Sequence, residues 1–197
     1  TLSKGWNVPE NAEITLDLNG HTISRDLDYR ADNGYVICVS GNLTLSDNSE
    51  NAAGLVTGGG NTGYGGGIVA CAGSVVTVSD ITVSGNYANT GGGLMISENA
   101  AVTLNNCKIT KNTALGAAGI YNSGTLTVNG GCLNENYAVN NSGGFYADGG
   151  SAEFKDCEIK NNRSDNFGGA FFVDYSASVS LDGCTVSGNT AKNGGGA

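Results

Sequence analysis

The chain has 197 residues, among them 33 glycines, six cysteines and one proline, and a net charge of −9. An acidic surface repels phosphate backbones, which argues against nucleic-acid binding, and no apolar run approaches the length needed to cross a membrane. So much glycine matches disordered composition, but apolar residues recur here at a fixed interval, and a disordered tract has no reason to keep one.

The first ordered segment is AEITLDLNGHTIS at 12–24, where apolar and polar residues alternate with the period of a strand. His21, the only histidine, sits in its NGHTI turn and reads as a turn residue, not a catalyst. Asp26, Asp28 and Asp32 follow, interleaved with Arg25 and Arg30. Arg30 occupies what would be a ligand position of an EF-hand, so the segment is expected to be a salt-bridged surface loop. A second irregular coil, YVICVSGNLTLSDNSENAAGLVTGGGN at 35–61, carries a longer turn around 46–53.

From residue 65 the chain repeats. A small-residue tripeptide runs into an apolar residue or alanine at GGGI 65–68, GGGL 91–94, AAGI 117–120, SGGF 142–145, GGAF 168–171 and GGGA 194–197, at intervals of 26, 26, 25, 26 and 26 residues. A period in this range marks a stacked repeat. Between the signals, SVVTVSDITVSGN (74–86), AAVTLNNCKITKN (100–112) and ASVSLDGCTVSGN (177–189) share one alternation. Gly, Asn, Ser and Asp bound each run and supply turns, so each unit reads as three short strands.

One such unit cannot bury its apolar residues, but a stack can. The inward ladders are Ile68, Leu94, Ile120, Phe145 and Phe171; Val76, Val102, Leu126, Ala152 and Val179; Val78, Leu104, Val128, Phe154 and Leu181; and Val83, Ile109, Leu133, Ile159 and Val186. Asn86, Asn112, Asn136, Asn162 and Asn189 form a turn ladder whose amides can hydrogen-bond from coil to coil. The pattern predicts an all-β fold: a right-handed, single-stranded parallel β-helix, a solenoid of about seven coils of roughly 26 residues. Residues 1–197 read as a single domain, with two irregular coils in 1–64, five regular repeats in 65–193 and the start of a further repeat at 194–197. A bare coil end exposes core and strand edges, so the chain is expected to be a segment of a longer protein.

Cys107, Cys157 and Cys184 share one inward position with Ile81 and read as small core residues. Cys132, beside Gly130 and Gly131, falls one position off that ladder. Cys38 aligns with Ala70 and is expected to point inward, and Cys71 outward. Free thiols are expected, with Cys157 and Cys184 the pair best placed for a bridge.

Outward residues follow the first ladder. Val69, Met95, Tyr121, Tyr146 and Phe172, with Ile37 above them, make an apolar and increasingly aromatic stripe. Two positions on stand Cys71, Ser97, Ser123, Asp148 and Asp174. Aromatic faces beside carboxylates suit a saccharide or protein partner. Asp148 and Asp174 on adjacent coils would be about 5 Å apart, a spacing compatible with a retaining glycosidase pair or a Ca²⁺ site. The outward positions of this strand set hold no Lys, Arg or His, so no catalytic residue, metal or cofactor is assigned. A threonine ladder, Thr15, Thr44, Thr77, Thr103 and Thr127, is continued by Glu153 and Ser180. Its neighbouring rank carries Lys155 and Asp182, which argues against an ice-binding face.

GIYNSGTLTVNGGCLNENYA at 119–138, GGAFF at 168–172 and SGN(Y/T)A at 84–88 and 187–191 resemble the β-helix repeats of bacterial and archaeal surface adhesin-like proteins, including the GGA(I/L/V) repeats of chlamydial polymorphic membrane proteins. ITLDLNGHTI at 14–23 resembles the first coil of β-helix domains in large surface proteins of gut Firmicutes. The resemblance implies a pectin-lyase-like fold and an extracellular, cell-surface location. It implies a rigid stalk or a binding module for a glycan or host surface protein, with Met95, Tyr121, Tyr146, Phe172, Asp148 and Asp174 as the candidate binding stripe. The competing expectation is a fragment of a β-helix polysaccharide lyase or glycoside hydrolase, since the same fold carries both.

Overall fold

The computed structural model describes residues 1–174 and 176–196; Ala197, the last residue of the sixth glycine signal, lies outside the described residues. Three seven-stranded sheets run the length of the molecule. The first stacks Trp6–Val8, Ile37–Val39, Ile68–Ala70, Leu94–Ile96, Ile120–Asn122, Phe145–Ala147 and Phe171–Val173. The second begins with Glu13–Asp17 and ends with Ser178–Asp182; the third begins with Thr22–Ser24 and ends with Thr185–Ser187. Every strand pairs in parallel with the same segment of the next coil. Seven coils result, and among the described residues no helix forms. At the ordinary strand spacing the stack is roughly 30 Å deep.

A fourth, five-stranded sheet was not anticipated. It pairs Tyr87–Ala88, Thr113–Ala114, Tyr137–Ala138, Arg163–Ser164 and Thr190–Ala191. Each strand is two residues long, too short for a period-two pattern to register. Its inward rank is small: Ala88, Ala114 and Ala138 are buried, the last two in a separate minor cluster with Ala118.

The four apolar ladders keep the expected register, although Leu181, in the last coil, is exposed. Leu94 pairs with Ile68 and Ile120, Leu104 with Val78 and Val128, and Ile109 with Val83 and Leu133. Ile68, Leu94, Ile120, Leu104 and Ile159 are all buried. Close packing of such ladders supplies most of the stability, about 25 cal/mol for each Å² of apolar surface removed from water. Toward the C-terminal coils Phe145, Phe154 and Phe171 meet edge to face, with centroids 5.1 to 6.0 Å apart.

The asparagine ladder is buried and continuous. The Asn86 backbone N–H and Nδ2 both donate to Asn112 Oδ1 at 3.1 Å, and Asn112 Nδ2 donates to Val83 O at 2.9 Å. The pattern repeats from Asn112 to Asn136, from Asn136 to Asn162 and from Asn162 to Asn189. This explains the glycine at the third position of the first four signals, Gly67, Gly93, Gly119 and Gly144. A Cβ on Gly93 would stand 2.9 Å from Asn112 Nδ2, and one on Gly119 only 2.4 Å from Gly144 O, so backbone must sit where a side chain would.

Two expectations need correction. Ile37 is fully buried opposite Ile68, and Cys38 is the outward residue, opposite Val69. A one-residue shift in a strand reverses every side chain, and in the irregular second coil no repeat fixed the alignment. Cys132, one position off the cysteine ladder, faces outward between Lys108 and Glu158, while Gly131 takes the inward place; a Cβ there would meet Cys107 O at 2.1 Å. The thiols are free as expected, Cys157 and Cys184 included, with Cys107 and Cys157 buried. Lastly, the 25–32 segment is not salt-bridged: among the described residues no ion pair joins its charges. Arg25 is buried and its guanidinium donates to the carbonyls of Asn33 and Tyr35. Arg30 lies 3.8 Å over the Tyr87 ring, and Asp26 accepts from Ser24 and Thr1. The loop folds back on the coil, so its arginines meet carbonyls and a ring before they meet carboxylates.

Candidate functional site

The stripe expected on the outer wall arises from register alone. In the five inner strands of the first sheet the flanking residues enter the core and the middle one projects outward, as the alternation of side chains requires. Met95 is paired with Val69 and Tyr121, Tyr121 with Tyr146, and Tyr146 with Phe172. The Tyr121 and Tyr146 rings are 5.3 Å apart at 82°, and those of Tyr146 and Phe172 are 5.1 Å apart at 82°. These edge-to-face contacts are worth about 0.5–1.5 kcal/mol each beyond simple burial. They also lock the rings, so the stripe is preorganised. All three remain half-exposed.

Two further rings join the stripe that the repeat pattern did not reveal. Tyr64 contacts Tyr121 with centroids 6.4 Å apart, and Phe167 contacts Phe172 at 6.0 Å. Both are strongly exposed. Each immediately precedes a left-handed glycine, Gly65 with φ 72° and Gly168 with φ 55°. That turn throws the preceding side chain onto the wall. An aromatic residue directly before the glycine signal was the available clue. The stripe of rings therefore runs Tyr64, Tyr121, Tyr146, Phe172, Phe167, with Met95 between Val69 and Tyr121 in the strand order.

The two carboxylates stand at one edge of this run. The backbone N–H groups of Asp148 and Asp174 donate to the preceding coil, to Asn122 O at 2.8 Å and Ala147 O at 3.0 Å, which places the two residues one above the other. Asp148 accepts a short hydrogen bond from the Tyr121 hydroxyl. Burial first, and then that bond, push the Tyr121 phenol up to about 12. Burial, followed by the charges of Asp148 and Asp174, raises Tyr146 as well. Both phenols thus stay neutral donors at physiological pH.

The wall is an open surface, not a cleft. It offers aromatic rings in alternating orientations, tyrosine hydroxyls and two carboxylates in a row along the helix axis. Such an arrangement can hold an extended ligand by stacking and hydrogen bonding. Among the described residues no group of three His, Cys, Asp or Glu side chains is placed to hold a metal ion. His21 is exposed in its turn, and its backbone N–H donates to Leu18 O at 2.9 Å.

Residues 11–197 match the family model described as right handed beta helix region. No curated protein matches the chain, and no solved structure matches it.

Proposed function

Since the chain belongs to the right-handed β-helix family, we propose that it acts as a rigid, extracellular surface module whose aromatic wall binds a glycan chain. The observation that carries this reading is the unbroken run of rings, with centroid steps of 5.1 to 6.4 Å from Tyr64 to Phe172. Pyranose rings present C–H faces that stack on aromatic faces, and burying such rings dominates interface energetics. Asp148 and Asp174 at the edge accept hydrogen bonds from sugar hydroxyls. Their charge, on a chain of net charge −9, disfavours uronic or sialic acids and favours neutral or amino sugars. The stiff stack underneath keeps the rings in line, so little conformational entropy is lost on binding.

The test is a binding screen over neutral, amino-sugar and uronic-acid polysaccharides, followed by titration of the best ligand. Tyr146→Ala is expected to weaken binding at least roughly fivefold, about 1 kcal/mol. Asp148→Asn should change the salt dependence of association more than its final strength. If Tyr146→Ala binds every ligand as the wild type does, the wall is not the site. Release of shortened oligosaccharides would replace this reading with a glycan-cleaving one.

A further inference from the structure

At the N-terminal end of the same wall the rings give way to sulfur. Cys38 stands opposite Val69, and Cys71 lies two residues past Val69, just beyond the strand Ile68–Ala70. Their sulfurs are 3.4 Å apart, and both residues are only partly buried. Forming a disulfide would require closing that gap by about 1.4 Å to the S–S bond length. Cys71 enters a two-residue turn at Ala72 and Gly73, where the chain can yield. The other cysteines are arranged differently. Cys107 donates to Val78 O at 3.3 Å and Cys157 to Lys155 O at 3.1 Å, inside the stack.

We propose that Cys38 and Cys71 form a redox-active dithiol that closes into a disulfide between the second and third coils by exchange with a low-molecular-weight disulfide. Cys71 is the entry thiol. It lines a cleft of about 590 Å³, together with Glu10, Glu13, Ser40 and Gly73, and Cys38 does not. The Cys71 thiolate attacks one sulfur of the oxidant R–S–S–R, forms a mixed disulfide and releases R–S⁻, which takes up a proton. Cys38 then gives its proton to solvent, attacks the Cys71 sulfur and expels the second R–S⁻. The two protein thiols lose two electrons and two protons, and the oxidant becomes two R–SH.

The electrostatics agree with this order. The hydrogen bond from the Cys38 thiol, helped by the Ser40 hydroxyl, holds Cys71 below the ordinary thiol range, and the same bond together with burial holds Cys38 above it. Thiolate is the attacking species. Burial pushes Cys107 up to about 11 and Cys157 up to about 12, so the interior thiols react slowly. Two carboxylates and no cation line the cleft, which favours a cationic oxidant over an anionic one.

Native protein is incubated with cystamine or, in parallel, with oxidised glutathione, quenched by alkylation and mapped by peptide mass spectrometry. The expected product is a Cys38–Cys71 linked peptide, formed at least fivefold faster with cystamine, while Cys107 and Cys157 are alkylated only after denaturation. Cys38→Ser should trap a stable cystamine adduct on Cys71. Cys71→Ser should form the adduct on Cys38 at least tenfold more slowly. Absence of the link with both oxidants, or a different pair linking first, overturns the proposal. Equal adduct rates in the two variants, or equal rates with the two oxidants, overturns Cys71 as the entry thiol.

Discussion

In the regular coils one repeated asparagine serves the buried backbone groups at the main turn, whereas in the first two coils each buried turn is served by a different residue. From Asn86 to Asn189 every asparagine oxygen accepts from the residue one coil earlier, and every amide nitrogen whose bonds run onward repeats the same two contacts. In the first two coils Arg25 caps the carbonyls of Asn33 and Tyr35. Asp47 accepts from the N–H groups of Gly20, Ser49 and Gly54. Asn61 Nδ2 donates to Tyr64 O and Gly65 O. The difference follows from loop length. A shared ladder works only where consecutive turns superimpose. Where turns differ in length, every buried backbone group still needs a partner, and each loop must supply its own. The outer wall changes near the same boundary, with Cys38 and Cys71 on the second and third coils and the paired ring ladder from Tyr121 onward.

The sharpest break of the regular stretch is a charge in its core. Ile109→Asp should lower stability by about 3–5 kcal/mol, while Lys108→Asp, one residue away and exposed, should cost less than about 0.5 kcal/mol. Denaturant unfolding separates them, and equal losses would refute the register. The next largest effect contrasts the two polar solutions directly. Asn112→Ala strips partners from Asn86, Val83 and Asn136 and should cost about 2–3 kcal/mol, lowering the unfolding midpoint of the whole domain. Asp47→Ala should act locally, speeding hydrogen exchange at Gly20 and Gly54 while the ladder amides stay protected. If both variants spread equally through the stack, the distinction between shared and private partners is wrong. The smallest effect lies on the wall. The Tyr121 phenol, raised to about 12, should remain protonated as pH climbs past its ordinary midpoint near 10.0. Asp148→Asn removes a charge that opposes ionisation, so the midpoint should fall, and absorbance of the tyrosinate reads the shift. A midpoint that does not move would place Asp148 outside this contact.

The regular coils were legible because five copies check one another. Val83, Ile109 and Leu133 occupy one position in three successive repeats, and so do Tyr121 and Tyr146, so an error in one is visible in the next. Ile37 and Cys38 had no such check, and a slip of one residue exchanged them. Tyr64 and Phe167 were missed because they lie outside the strands that the alternation marks. Arg25 was misplaced because sequence neighbours suggested ion pairs, while the fold brought carbonyls closer.

By itself the sequence determined the parallel coil, its period, the inward ladders and the buried asparagine spine, because stacking makes each of them a repeated requirement. It also placed Met95, Tyr121, Tyr146 and Phe172 in one outward line. Only the tertiary structure decided which sulfurs meet, which rings extend the stripe and where the loop arginines go. Those outcomes depend on loops of unequal length folding back across coils, and a contact between non-equivalent positions leaves no periodic trace in the chain.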